Sequence, residues 1–252
     1  MDGPTIDSPR RHFEGHTRFL GTITPSGNTV VERITLGILR HFPQVSAHFS
    51  RTSVFGSTDP FPDSYDFEDM LRAAELLSHA SLDVIAWNGS KGGSIDFALD
   101  HELCRRIVDT TGAKTCTSTL AIDEAFRARG VKTFALVSPY KGAYQDRIIA
   151  TFKRVGYDCI AEAHADLADN LSFARLPLDR IADMIRSVAP SRPQAIVTYC
   201  TNFPAAPLAA GIEAEFGIPM FDSVAMAVWK SLRLLGIDTA PARAWGRVFA
   251  ES

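Results

Sequence analysis

No apolar run in this chain approaches the roughly 18–20 residues a membrane span needs, which excludes a spanning helix. Basic residues are not in excess. The 26 Lys and Arg face 29 Asp and Glu, a net charge of −3, leaving no electrostatic footprint for nucleic acid. Cysteine is scarce: Cys104, Cys116, Cys159 and Cys200 form no C-x-x-C pair, and no histidine lies near one at zinc-ligand spacing. The seven histidines form no ligand cluster, and His12 and His16 fall in a polar N-terminal stretch. That stretch, residues 1–17, lacks the apolar centre of a signal peptide and reads as a flexible tail. A cytoplasmic protein with free thiols is therefore expected. GSKGG (Gly89 to Gly93) lacks the full phosphate-loop pattern, and no dinucleotide fingerprint occurs. Neither a metal nor an organic cofactor is expected.

What the chain does have is alternation. Apolar, β-branched runs at Phe19 to Thr24, Val45 to Phe49, Asp83 to Trp87, Thr133 to Val137, Cys159 to Ala163 and Ala195 to Tyr199 read as strands. Helical spacing occupies Asn28 to His41, Phe67 to His79, Ile95 to Thr110, Ile122 to Arg129, Ala143 to Val155, Leu178 to Val188, Pro207 to Phe216 and Val224 to Leu235. Strands alternating with helices predict an α/β fold with parallel sheets, and 252 residues suffice for a substantial core.

An internal repeat is more informative. FLGTITPSGNT matches FALVSPYKGAY, with Pro25 over Pro139. DVIAWNGSK matches QAIVTYCTN, with Gly89 over Cys200. TSTLAIDEAFRARGV matches SVAMAVWKSLRLLGI, with Gly130 over Gly236. Three matches in one order predict two pseudo-symmetric, Rossmann-like lobes, each with a mostly parallel sheet flanked by helices. Lobe one is expected over 18–120 plus 229–252, the final helix and tail packing back on it, and lobe two over 121–228. Strand ends would line the crevice between them, which is where open α/β sheets place ligands. This lifts Cys200 out of the class of core thiols. Cys104 and Cys159 fall inside a helix and a strand and read as core, and Cys116 is ambiguous.

Several segments resemble a known family. The TPSGNT turn (Thr24 to Thr29) is similar to that of maleate cis-trans isomerases. CTST (Cys116 to Thr119), SPY (Ser138 to Tyr140), CTN (Cys200 to Asn202) and WGRVF (Trp245 to Phe249) resemble maleate isomerases and arylmalonate decarboxylases of the aspartate/glutamate racemase superfamily. The resemblance implies two α/β lobes around one site, and no cofactor. Its racemases and isomerases place a cysteine on each lobe. Arylmalonate decarboxylase keeps the second and has glycine at the first, the arrangement Gly89 and Cys200 reproduce. Lys91 departs from it, standing where the decarboxylase has a small hydroxyl residue.

The shared chemistry of that superfamily is a carbanion beside a carboxylate, held as an enediolate by aimed donors. Ser90, Tyr140, Thr201 and the amides of Gly89 to Lys91 and Cys200 to Asn202 are the candidate donors, with Pro25 at the facing turn. Asn28 reads either as a carboxylate donor or as a helix N-cap. Arg51 reads either as a carboxylate partner or as a surface arginine, and Lys91 either as a site residue or as a solvated charge. Cys200 is the expected proton shuttle, its thiol moved toward neutrality by local N–H groups. A single cysteine leaves two-base racemisation incomplete. Decarboxylation of a malonate-type acid needs only an enediolate hole and one donor, and it ranks first. Maleate isomerisation or racemase-like chemistry ranks second, and a non-catalytic small-acid binding protein, the reading from another class, third. An inward Lys91 argues against decarboxylation if it stabilises the carboxylate that must leave. The expected partner is a small carboxylic or dicarboxylic acid, the protein being a monomer or a homodimer. Pocket walls are expected partly from the loop at Phe55 to Tyr65.

Overall fold

The computed structural model describes residues 17–54 and 64–250. The expected flexible tail, with His12 and His16, and most of the Phe55 to Tyr65 loop lie outside the described residues. Among the described residues eight strands form two sheets, every pairing parallel. The first joins β1 (Arg18–Pro25), β2 (Val45–Thr52), β3 (Val84–Trp87) and β4 (Lys114–Thr117) in the order β2-β1-β3-β4. The second joins β5 (Thr133–Ser138), β6 (Asp158–His164), β7 (Ala195–Thr198) and β8 (Met220–Asp222) in the order β6-β5-β7-β8. The central strands are buried nearly throughout, as strands covered on both faces must be.

The two sheets repeat one topology in one register. Ile23 of β1 pairs with Trp87 of β3, and Val137 of β5 pairs with Thr198 of β7. This confirms the α/β class and the paired halves. Two short edge strands, β4 and β8, were not expected. They close their sheets at equivalent edges, and each hands its last residue to a helix as cap. Thr117 accepts from Leu120 N at the start of α4, and Asp222 accepts from Val224 N and Ala225 N at the start of α9. The repeat is one residue out at the far end. Gly130 caps α4 in the left-handed conformation, whereas the C-cap of α9 is Leu235 and Gly236 follows it.

Nine α-helices occur among the described residues. They are α1 (Val31–Leu39), α2 (Phe67–Ser78), α3 (Phe97–Thr111), α4 (Ser118–Arg129), α5 (Gly142–Arg154), α6 (Asn170–Ala174), α7 (Leu178–Val188), α8 (Ala209–Phe216) and α9 (Ser223–Leu234). α4 leaves the first sheet but buries Phe126 against Phe134 and Phe221 of the second, with centroids at 5.8 and 5.5 Å. α9 leaves the second sheet and packs on the first. Ala227 O and Ser231 Oγ lie 3.7 and 3.5 Å from Cys116 Sγ, and Asn88 Nδ2 donates to Val224 O. The halves thus trade helices, and one apolar core runs from Leu20 and Val84 to Leu136 and Val197. Cys116, ambiguous in sequence, is a core thiol.

The closing residues go to a different neighbour from the one expected. The backbone N–H of Arg247 donates to Glu213 of α8, and Gly246 lies against Ala209 and Met220, all in the second half. Trp245 reaches Gly37 of α1.

Candidate functional site

The strand ends of both halves meet at one cavity of about 90 Å³. Pro25, Asn28, Ser90, Lys91, Tyr140, Cys200, Thr201 and Asn202, all expected from sequence, line it, together with Val54, Trp87, Tyr144, Asn170 and Phe173. Each wall begins where a strand gives way to a turn. β1 leads to Pro25–Asn28, β3 to Ser90 and Lys91, β5 to Tyr140, and β7 to Cys200–Asn202.

Asn28 takes the capping role, one of the two that its sequence position left open. Its Oδ1 accepts from Val30 N and Val31 N at 2.8 and 2.9 Å, capping α1, and this fixes the amide so that Nδ2 donates to Thr201 Oγ1 at 3.2 Å. Thr201 accepts that bond, so its own O–H stays available. Asn202 is engaged at both ends: Oδ1 accepts from Thr29 N at 2.9 Å, and Nδ2 donates to Asn170 O at 2.6 Å. It stitches the two halves at the cavity wall. Arg51 is not a free carboxylate partner. Its guanidinium donates to Ser26 O and Asn28 O and pairs with Glu32 at 2.6 Å, clamping the Pro25–Asn28 turn from outside.

Cys200 is buried at 3% exposure. Its thiol is pushed up to about 12 by burial, with the charge of Asp222 adding to the rise. Bonds from the Tyr140 hydroxyl and the Asn202 backbone N–H, the latter at 3.3 Å, oppose it. Desolvation outweighs the local donors, so the expected shift toward neutrality is reversed and the resting thiol keeps its proton. Tyr140 also meets Ser90 Oγ at 3.3 Å and packs on Tyr144 and Phe173, with centroids at 4.4 and 5.3 Å. Lys91 is half-buried in the cavity wall. Burial lowers the pKa of its ammonium, and Asp66 pulls the other way.

Gly89 does not line the cavity. A Cβ there would fall inside the indole ring of Trp87, overlapping Cζ2 and Cε2, with Cη2 only 2.6 Å away. The other glycines of this segment are pressed in the same way. A Cβ on Gly92 would overlap the carboxyl of Asp100, and one on Gly93 would overlap the hydroxyl of Tyr199. The segment is therefore glycine-rich because side chains occupy the space beside it. Trp87 Nε1 donates to Tyr65 OH at 3.3 Å, Tyr65 OH donates to Asp100 Oδ1 at 2.7 Å, and Thr119 bonds Tyr199 at 2.7 Å. This polar layer under the site had no sequence signal, except that Trp87 stands two residues before a glycine at a strand end.

Asp100 is fully buried, and burial raises its carboxyl to about 7 against hydroxyl bonds from Tyr65, Thr119 and Thr117. A carboxyl with a folded pKa above its unfolded value near 3.9 holds its proton more tightly when folded. Stability is then greatest below about pH 4 and declines as pH rises to about 7. Asp100→Asn keeps the acceptor and removes the ionisation. It is expected to gain on the parent by a few kcal/mol between pH 5 and pH 8, on the order set by such a shift. Thermal melts at the two pH values check this, and a pH-independent difference would count against it. Among the described residues no group of three His, Cys, Asp or Glu gathers as a metal site. No helix among them is long and apolar enough to cross a membrane.

Comparison with known proteins agrees with this architecture. A family model described as arylmalonate decarboxylase matches residues 61–249. A maleate isomerase of Geobacillus stearothermophilus is 24% identical over 242 residues, covering 91% of this chain and 94% of that one. Among solved structures, a cysteine-to-alanine maleate isomerase of Pseudomonas putida S16 with maleate superposes at a TM-score of 0.85. Its identity is 21%, and the match covers 92% of this chain and 97% of that one. A double mutant of arylmalonate decarboxylase in its liganded form superposes at 0.83, with 20% identity over 94% and 100% of the two chains.

Proposed function

The chain belongs to the arylmalonate decarboxylase family, and from that premise we propose that it decarboxylates a malonate-type diacid without a cofactor, Cys200 supplying the proton. The observation that carries this reading is one thiol in the cavity lining, buried and held protonated, facing a half whose equivalent position is Gly89. One carboxylate leaves as CO2 and the C–C electron pair stays on the α carbon, delocalised into the retained carboxylate as an enediolate. The Cys200 Sγ–H proton passes to that carbon, and solvent reprotonates the thiolate. The Thr201 hydroxyl, and that of Ser90 once it turns from Tyr140, are positioned to donate to the enediolate oxygens, while the Tyr140 O–H stays on Cys200.

Lys91 supports rather than opposes this reading if it serves the retained carboxylate. It follows Ser90 directly in the chain, and the retained group gains charge as CO2 departs. A cation there favours the transition state over the ground state. A thiol protonated at rest does not by itself separate a catalyst from a passive binder, because a proton donor is protonated at rest. Turnover separates them.

A second reading, isomerisation of a maleate-like diacid, is favoured by the isomerase relatives and by the small cavity. It needs a thiolate or an equivalent nucleophile, which a thiol at about 12 does not supply unaided. Methylmalonate is expected to be converted to propionate and CO2 with uptake of one proton, read by a pH indicator and by product analysis, while maleate is left unchanged. Turnover of maleate with none of any malonate would reverse the assignment. Tight binding of these acids without turnover would identify a sensor.

A further inference from the structure

The wall opposite Cys200 is built from an unexpected direction. Where the repeat calls for a side chain at position 89, the indole of Trp87 curls over the glycine and fills that volume. The ring is fixed rather than mobile. It is 1% exposed, its Nε1 donates to Tyr65 OH at 3.3 Å, and the Tyr65 ring meets it edge-on at 6.2 Å. Tyr65 is held in turn by fully buried Asp100 at 2.7 Å.

We propose that Trp87 is the residue that sets which acids this cavity takes. It limits the substrate to a diacid whose α carbon carries hydrogen or a small alkyl group, and it excludes an aryl group. The magnitude decides the point. A cavity of about 150 Å³ is what a benzene ring occupies inside a protein, and this one is about 90 Å³ with two carboxylates still to be housed. The polar walls beside it are tied by their own bonds. Tyr140 is committed to Cys200 and Ser90, Tyr144 to Ser94 at 2.8 Å, and Asn202 to both halves. Two bulky walls make no polar contact with the site, Trp87 and Phe173; Phe173 packs edge-on against Tyr140 at 5.3 Å and holds that donor in place, so Trp87 is the one whose size can change without disturbing the donors.

The proposal rests on the decarboxylase reading only for the kind of acid, and its test reads binding, not turnover. Calorimetric titrations of methylmalonate and phenylmalonate, and of maleate and phenylmaleate, are compared in the parent and in Trp87→Leu. The parent is expected to favour the small member of whichever pair it binds by at least about tenfold. Trp87→Leu should shift that ratio toward the aryl member by roughly 10–200-fold, the scale on which apolar pockets discriminate by size. Because the indole is buried, circular dichroism confirms folding, and Trp87→Phe, a smaller change, should move the ratio in the same direction by less. A ratio unchanged in folded variants overturns the proposal, as does a parent that binds aryl and small acids alike or binds none of the small acids. A shifted ratio without CO2 release from any malonate would sustain the role of Trp87 and sink the decarboxylase reading.

Discussion

Alanine in place of Cys200 is expected to lower turnover of the malonate-type substrate by roughly 10²–10⁴-fold, the usual scale for one general acid. The fold should survive, because the change removes one small group at a strand end and costs about 1 kcal/mol. The stereochemistry is the sharper readout. In the parent one face of the carbanion sees an acid, held by the Tyr140 hydroxyl and the Asn202 amide. Without it, protons come from water, and residual 2-methylbutyrate from 2-ethyl-2-methylmalonate, whose α carbon carries two different small alkyl groups, should be racemic. Chiral chromatography of the product, beside a melting curve, checks both halves of the expectation. Full activity, or residual product of unchanged handedness, would place the acid elsewhere.

The second large effect concerns the opposite wall. By the repeat alone, Gly89→Cys restores a second proton carrier and creates a racemase. The position of Trp87 gives a different expectation. The new Cβ overlaps a buried indole that Tyr65 and Asp100 hold in place, and nothing near it is the loose end of a flexible side chain. Overpacking of this kind costs about 1–3 kcal/mol or more. For a chain of this size that is a fall in melting temperature of roughly 2–12 °C. No racemisation should appear. With Trp87→Leu added, the steric conflict is relieved and the second thiol has somewhere to stand. Calorimetry and solvent-deuterium exchange into the product separate these outcomes. A single mutant that melts with the parent and exchanges deuterium would show that the indole moves aside freely.

The central strands were legible because burial on both faces makes them continuous apolar runs, and the repeat then located the crevice and most of its lining. β4 and β8 were not legible. KTCT and MFD are too short to carry a period, and their placement depends on the neighbouring strand. α6, five residues long, was missed for the same reason. At the site, residue types and turn positions were readable, whereas side-chain trajectories were not. Arg51 stood at a strand end but turns outward to three backbone carbonyls and Glu32. Trp87 looked like core and reaches past its strand into the cavity. The sign of the Cys200 shift depended on how completely the thiol is desolvated, and that follows from tertiary packing around the turn.

The traded helices have a consequence for how the molecule is made. The first sheet is complete by Thr117, yet its cover α9 begins only at Ser223. Ribosomes deliver the intervening ~100 residues in about 5–20 s. Through that interval β3 and β4 present a bare apolar face, and α4 has no second sheet to sit on. Neither half can reach its native packing before the chain from Ser223 onward has been made, so the packing of each half waits on the other. Until then the half-made protein relies on not meeting another copy of itself.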